Sequence, residues 1–185
     1  MNVVRATVYR IVATQPGTTL TYDPPQAGAP TTIANAGQYV ELAPTTNSFL
    51  VTANFKILVA QYMVGQAYGG GLSTGDPAMA QGVAVEQYRD KYLFHAPTNY
   101  EANFVNITAP TGSTIALDGA NVPVASFAAI GATGYSLARV QISNAGNGNH
   151  SISSAAKFGI SVYGWGQYTS YWYPGGLDLN VIPGQ

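Results

Sequence analysis

The side chains that could carry out acid–base or nucleophilic chemistry are few in this chain. There is no cysteine, and His95 and His150 are the two histidines. Thiol catalysis, disulfide bonds and thiolate metal sites are therefore excluded. Neither histidine accompanies a Gly-x-Ser-x-Gly elbow or belongs to a His-x-x-x-His pair. A nucleophile needs a base beside it, so we expect both histidines to be structural or solvated, and catalysis to be absent.

Three carboxylates, Asp76, Glu86 and Asp90, form the one crowd of acidic residues in the sequence. A glycosidase needs two carboxylates that face a cleft, and calcium takes several oxygen ligands. The spacing of these three fits no calcium-binding loop, and Asp76 precedes Pro77, which is typical of a turn. We predict no metal site and no cofactor, with a calcium site at the three carboxylates as the weaker alternative.

Aromatic residues near the end of the chain are the strongest signal for binding. Tyr and Trp combine apolar area with a polar group and are enriched at interfaces and on sugar-stacking surfaces. No charged residue lies between Phe158 and Leu177, so a partner would be held by aromatic area and hydrogen bonds. The alternative is that these rings fill a corner of the core. The candidate ligand-binding residues are Trp165, Tyr168, Tyr171, Trp172 and Tyr173.

Composition narrows the class of protein. The chain has 185 residues and a formal net charge of −1, and 8% of its residues are charged while 46% are hydrophobic. Such a composition is too apolar for a disordered chain. The seven Lys and Arg are scattered, which argues against a nucleic-acid partner. No apolar run of transmembrane length occurs, so we expect no membrane insertion. The first residues lack a hydrophobic signal core, and a signal or anchor is not expected within this chain.

The secondary-structure pattern is almost entirely that of β-strands. Alternating Val, Ile, Thr and Tyr favour strands, and frequent Gly and Pro separate them at the spacing of sandwiches and barrels. A helix is conceivable over 83–90. The predicted strands are 4–12, 18–22, 39–42, 49–52, 56–62, 104–108, 114–117, 135–142, 151–154 and 158–163.

The chain also resembles itself. Residues 51–66 lie over 152–167, with a lysine, a tyrosine and a Gly-Gln pair at matching positions. Upstream, residues 18–23 lie over 113–118 in the same way. These matches predict two copies of one β unit.

We therefore predict an all-β, internally duplicated, antiparallel β-sandwich that is jelly-roll-like and has little or no helix. The first repeat covers 1–70, a connector covers 71–97 and the second repeat covers 98–185. Two such units usually share a core, so 1–185 is expected to be a single folding body.

Several segments together resemble the IgGFc-binding-protein N-terminal family, in its bacterial-type extracellular form. That family is a β-rich module found at the start of a mucin-associated animal protein and in bacterial surface and secreted proteins. The resemblance implies a β-sandwich binding or adhesion module. It does not imply IgG binding, because no set of Fc-contacting residues carries over. The matching segments, in the family's order, are 56–62, 75–79, 86–94, 104–110, 157–166 and 171–176.

Three functions follow in order of weight. The first is a non-catalytic, extracellular or surface-exposed adhesion module that recognises a protein or glycan on a cell or particle surface. The second is a structural component of a fibre, tail or capsid surface, as a homo-oligomer. The third is an enzyme.

Overall fold

The computed structural model describes residues 5–68 and 74–179. These residues form strands joined by turns, with two short 3-10 segments at Val85–Gln87 and Val124–Ser126. Every strand pairing is antiparallel. The predicted all-β class is confirmed.

The first half of the chain forms two small sheets that enclose a core. The four-stranded sheet has the order β4-β1-β6-β7, and the three-stranded sheet has the order β3-β2-β5. Alternate residues point inward, and Ile11, Leu20 and Leu42 form the buried centre. The strands are β1 (Thr7–Ala13), β2 (Thr18–Asp23), β3 (Thr32–Ile33), β4 (Tyr39–Thr45), β5 (Leu50–Ala53), β6 (Ile57–Met63) and β7 (Met79–Gln81).

The second half is built around one long strand. Its first part pairs with β10 and β8, and its last part pairs with β9 and β15, so a single eight-stranded sheet bends around the core. Val105, Ile107 and Phe158 are fully buried in that core. The strands are β8 (Arg89–His95), β9 (Ala102–Pro110), β10 (Ala116–Leu117), β11 (Ala120–Asn121), β12 (Phe127–Ala129), β13 (Tyr135–Ile142), β14 (Asn149–Gly166) and β15 (Thr169–Pro174).

The 71–97 connector differs from its prediction. The helix over 83–90 is wrong, since only Val85–Gln87 makes a 3-10 turn and a strand begins at Arg89. Tyr92 and Phe94 are buried while their neighbours are exposed. That alternation has the period of a strand rather than of a helix. The connector therefore contributes β7 to the first half and β8 to the second.

The two halves pair their strands in the same order. In the first half β6 lies between β1 and β7, and in the second half the end of β14 lies between β9 and β15. Even single bonds correspond: the Gly82 N–H donates to the Val59 carbonyl at 2.7 Å, and the Gly175 N–H donates to the Ile160 carbonyl at 2.9 Å. This register supports the duplication, which stays a proposal.

Side chains from the first half reach the outer face of the second sheet. The Arg5 guanidinium lies 4.3 Å from the centre of the Trp165 ring and donates to the Thr74 carbonyl at 2.6 Å. Arg139 in turn donates to the Ser48 hydroxyl at 3.0 Å. These contacts pack the second sheet against one end of the first sandwich.

Within 5–68 and 74–179, no helix has the length and apolar character needed to cross a bilayer.

Candidate functional site

The two histidines have structural partners. His150 Nδ1 lies 2.7 Å from Asp118 Oδ2, and its ring stacks on Phe94. His95 Nδ1 lies 3.0 Å from Asn149 Oδ1. Desolvation raises the pKa of Asp118, but hydrogen bonds from His150 and the Ser151 N–H outweigh it and hold that pKa below its usual value. Both rings therefore serve to fix the start of β14.

The three crowded carboxylates do not come together. Glu86 lies in the 3-10 turn and Asp90 near the start of β8, both exposed. Asp76 is also exposed, and its backbone N–H donates to the Ser170 hydroxyl at 2.9 Å. Across the described parts of the chain, no three His, Cys, Asp or Glu side chains are grouped so as to hold a metal ion. The alternative of a calcium site at these carboxylates is therefore wrong.

The predicted aromatic residues lie on a β-hairpin. Trp165 is near the end of β14, Gln167 and Tyr168 form the turn, and Tyr171 to Tyr173 lie on β15. Residues on one strand alternate between the two faces of the sheet. The hairpin therefore divides its aromatic side chains between two different environments.

Both tryptophans face the first half of the chain. Trp165 is 6% exposed and stacks on Phe104 with ring centres 4.7 Å apart. Trp172 is half-buried and meets Tyr163 edge-on at 6.3 Å. The two rings thus belong to the contact between the halves, together with Arg5.

Tyr171 and Tyr173 face the opposite way. The Tyr171 hydroxyl donates to Asn103 Oδ1, and its ring meets Tyr100 edge-on at 4.8 Å. The Tyr173 hydroxyl bonds to the backbone of His95. Burial raises the pKa of both tyrosines. These side chains tie β15 to the core of the second half.

Tyr168 is the member of this set that solvent reaches most. It is 72% exposed and has a φ of 56° at the tip of the turn. Four of the five predicted residues therefore make packing contacts, and one is open to a partner. Ligand binding by the five stays a prediction.

A second aromatic surface, which sequence reasoning missed, lies on the outer face of the first sheet. The register places Arg10 opposite Glu41 on β4, and it places Tyr62 opposite Met79 on β7. Tyr39 is 55%, Met79 59% and Leu58 42% exposed. We call this surface the Arg10 face, and its members are Arg10, Tyr39, Glu41, Leu58, Tyr62 and Met79.

The guanidinium of Arg10 organises this face. Its Cζ lies 4.4 Å from the Tyr39 ring centre and 5.3 Å from the Tyr62 ring centre. Nη2 and Nε both donate to Glu41 Oε2, at 2.8 and 3.2 Å. The hydrogen bond to Glu41 raises the pKa of Arg10. A permanent cation is thus held flat between two aromatic rings in solvent.

A shallow cavity of about 460 Å³ adjoins the Arg10 face. It is lined by Ile33 from β3 and by Gln38 and Tyr39 at the start of β4. Tyr39 therefore belongs to both surfaces. The alternation of β1 was a usable signal, because Arg10 between Val8 and Val12 marks an outer face that is only partly polar.

Comparison with known proteins identifies one family. A family model described as IgGFc binding protein matches residues 2–164. The matched range contains every member of the Arg10 face and ends before Trp165. Comparison with curated proteins and with solved structures gives no match.

Proposed function

Because the chain belongs to the IgGFc-binding family, we propose that it is a non-catalytic, extracellular adhesion module that binds a protein partner through the Arg10 face. The observation that carries this proposal is the exposed stack of Arg10 between Tyr39 and Tyr62. Arg and Tyr are enriched among the residues that dominate binding energy at protein interfaces.

The chemistry of the face favours a protein over a glycan. The face is a sheet surface rather than a cleft, and it combines a cation, an anion and exposed apolar groups. Leu58 and Met79 offer apolar area that would be removed from water by a complementary protein surface. The family description also names a protein ligand. Membership of that family likewise supports a place outside the cell, on or near a surface.

Single-residue variants of the full chain test the face. The proposed probes are a panel of purified extracellular proteins that includes IgG Fc, together with a glycan array. With a protein that binds, R10A and Y62A are expected to weaken affinity by about tenfold or more, as for central interface residues. Y168A is the matched control, because Tyr168 is exposed on the predicted hairpin instead.

Each outcome assigns the site. Loss with R10A and Y62A but not with Y168A supports the Arg10 face. The reverse result places the site at the hairpin and contradicts the proposal, and binding to glycans alone contradicts a protein partner. Light scattering of the same samples tests the alternative of an oligomeric structural component.

A further inference from the structure

The small sheet of the second half has a strand that the first half lacks. In the second half its order is β11-β10-β14-β8, whereas the first half has β3-β2-β5. The strands that correspond pair in matching register. Tyr22 lies opposite Val51 as Leu117 lies opposite Ile152. Among the strands of the described residues, β5 therefore has a neighbour on one side, where the first part of β14 has neighbours on both.

In the second half, β8 covers the core. Tyr92 is 3% and Phe94 is 7% exposed, and both point inward from β8. The Tyr92 ring meets Phe158 edge-on at 5.2 Å, and its hydroxyl donates to the Phe158 carbonyl. On the opposite face of the same strand, Leu93 is 75% exposed. Alternate large apolar residues are thus what fit a strand to this position.

The positions under β8 are well buried in the second half. Ile152 is 1%, Phe158 0% and Ile160 6% exposed. Each lies on the inward face of β14, on either side of the point where its pairing with β8 shifts register. Their burial depends on the cover that Tyr92 and Phe94 supply.

The corresponding positions of the first half are only partly buried. By the sequence match and the shared register, Val51 corresponds to Ile152, Ile57 to Phe158 and Val59 to Ile160. The three first-half residues pack against the core around Ile11 and Leu20, yet each keeps an intermediate exposure to solvent. The first half therefore has an apolar floor without the strand that covers its counterpart.

We propose that the groove beside β5, over Val51, Ile57 and Val59, binds an extended strand of a partner protein. The partner strand would run antiparallel to β5 and carry large apolar side chains at alternate positions, as β8 does. It would continue the β3-β2-β5 sheet in the way that β8 continues β11-β10-β14. Strand addition of this kind takes affinity from main-chain hydrogen bonds and specificity from the alternate side chains.

The β5 groove is separate from the Arg10 face. Ile57 and Val59 point to the core side of β6, while Leu58 between them points to the opposite side. The proposal therefore does not depend on the proposed function. A variant of Leu58 reports on the Arg10 face and leaves the groove intact.

The probe is a synthetic peptide with the sequence of residues 88–97, which contains β8, added to the full-length protein. We expect saturable binding with one peptide per chain, measured by calorimetry. Hydrogen exchange with mass spectrometry should show new protection over residues 48–52. A peptide with Phe94→Ser is expected to bind at least about tenfold more weakly, because it loses the area of one buried aromatic ring. A peptide with Leu93→Ser should bind like the parent.

A protein variant completes the design. L58K is expected to bind the peptide normally, whereas V59K places a charge on the groove floor and should abolish binding, with circular dichroism and urea unfolding reporting whether each variant folds. The two altered peptides keep the test valid if V59K does not fold. Absence of saturable binding below about 1 mM, or equal affinity of the Phe94→Ser and parent peptides, overturns the proposal. Exchange changes confined to residues 149–153 also overturn it, since the peptide would then be replacing β8 itself.

Discussion

The Tyr173 hydroxyl bonds to both backbone groups of His95. It donates to the His95 carbonyl and accepts from the His95 N–H at 3.1 Å, across a separation of 78 residues. One side chain of β15 thereby fixes the end of β8, although the two strands are not paired with each other. An aromatic residue predicted to bind a ligand thus also holds the edge of the core.

Removing that hydroxyl should lower stability without changing the fold. Y173F leaves both backbone groups of His95 without this partner, and we expect the free energy of unfolding to fall by about 1 kcal/mol, the usual net value of a hydrogen bond. Urea unfolding followed by circular dichroism measures it. Y168F is the control, because Tyr168 is 72% exposed, and its stability should match the parent. Equal stabilities of Y173F and Y168F would contradict a structural role for the Tyr173 hydroxyl.

Buried tyrosines should make the protein sensitive to alkali. Burial raises the pKa of Tyr88 and of Tyr163 from 10.0 to about 12. A folded-state pKa above the unfolded one means that the unfolded chain loses its proton first. These two groups therefore contribute no pH dependence well below pH 10, and stability falls as the pH rises from about 10 to about 12.

Absorbance of tyrosinate at alkaline pH, with urea unfolding at each pH, checks this expectation. Y88F should make the fall in unfolding free energy above pH 10 shallower, since one of the raised groups is gone. Titration of every tyrosine with a pKa near 10 in the folded protein would contradict the burial of Tyr88 and Tyr163.

Two corresponding glycines should differ in their tolerance of a methyl group. A Cβ on Gly175 would overlap Cγ1 of Ile160, which is buried and has little room to move. A Cβ on Gly82 would lie 3.2 Å from the Cβ of Val59, which is only partly buried. We expect G175A to lose about 1–3 kcal/mol of stability, the usual cost of overpacking.

The matched variant G82A is expected to lose less, because the open groove lets Val59 shift. Chemical unfolding of the two variants and the parent under one set of conditions provides the comparison. A larger loss in G82A than in G175A would mean that the first core is as tightly covered as the second, and would also count against the β5 groove.

Much of the strand content could be predicted from local sequence. The alternation in 135–142 gives the bounds of β13 as the structure has them, Tyr135–Ile142. Side chains of a strand point alternately to its two faces, so a strand that is buried on one face carries that period in its sequence. The β8 strand was missed because Arg89, Asp90 and Lys91 precede its two buried aromatics and mask the alternation.

The placement of the aromatic residues was decided by tertiary structure. Trp165 and Tyr168 have similar chemistry and lie three residues apart, yet one is 6% and the other 72% exposed. Strand alternation and a two-residue turn separate them, and Arg5 from the other half covers the first. Local sequence does not contain that distant partner.

The sequence by itself determined an all-β chain of alternating strands with two matching segments, because strand period and turn residues are local properties. Tertiary structure decided which sheet faces and edges are covered. Alternation defines two faces for every strand, but the partner that buries a face comes from far along the chain. Arg10 stays in solvent on the first sheet and Phe104 is buried on the second because the second sheet's outer face packs against the first half.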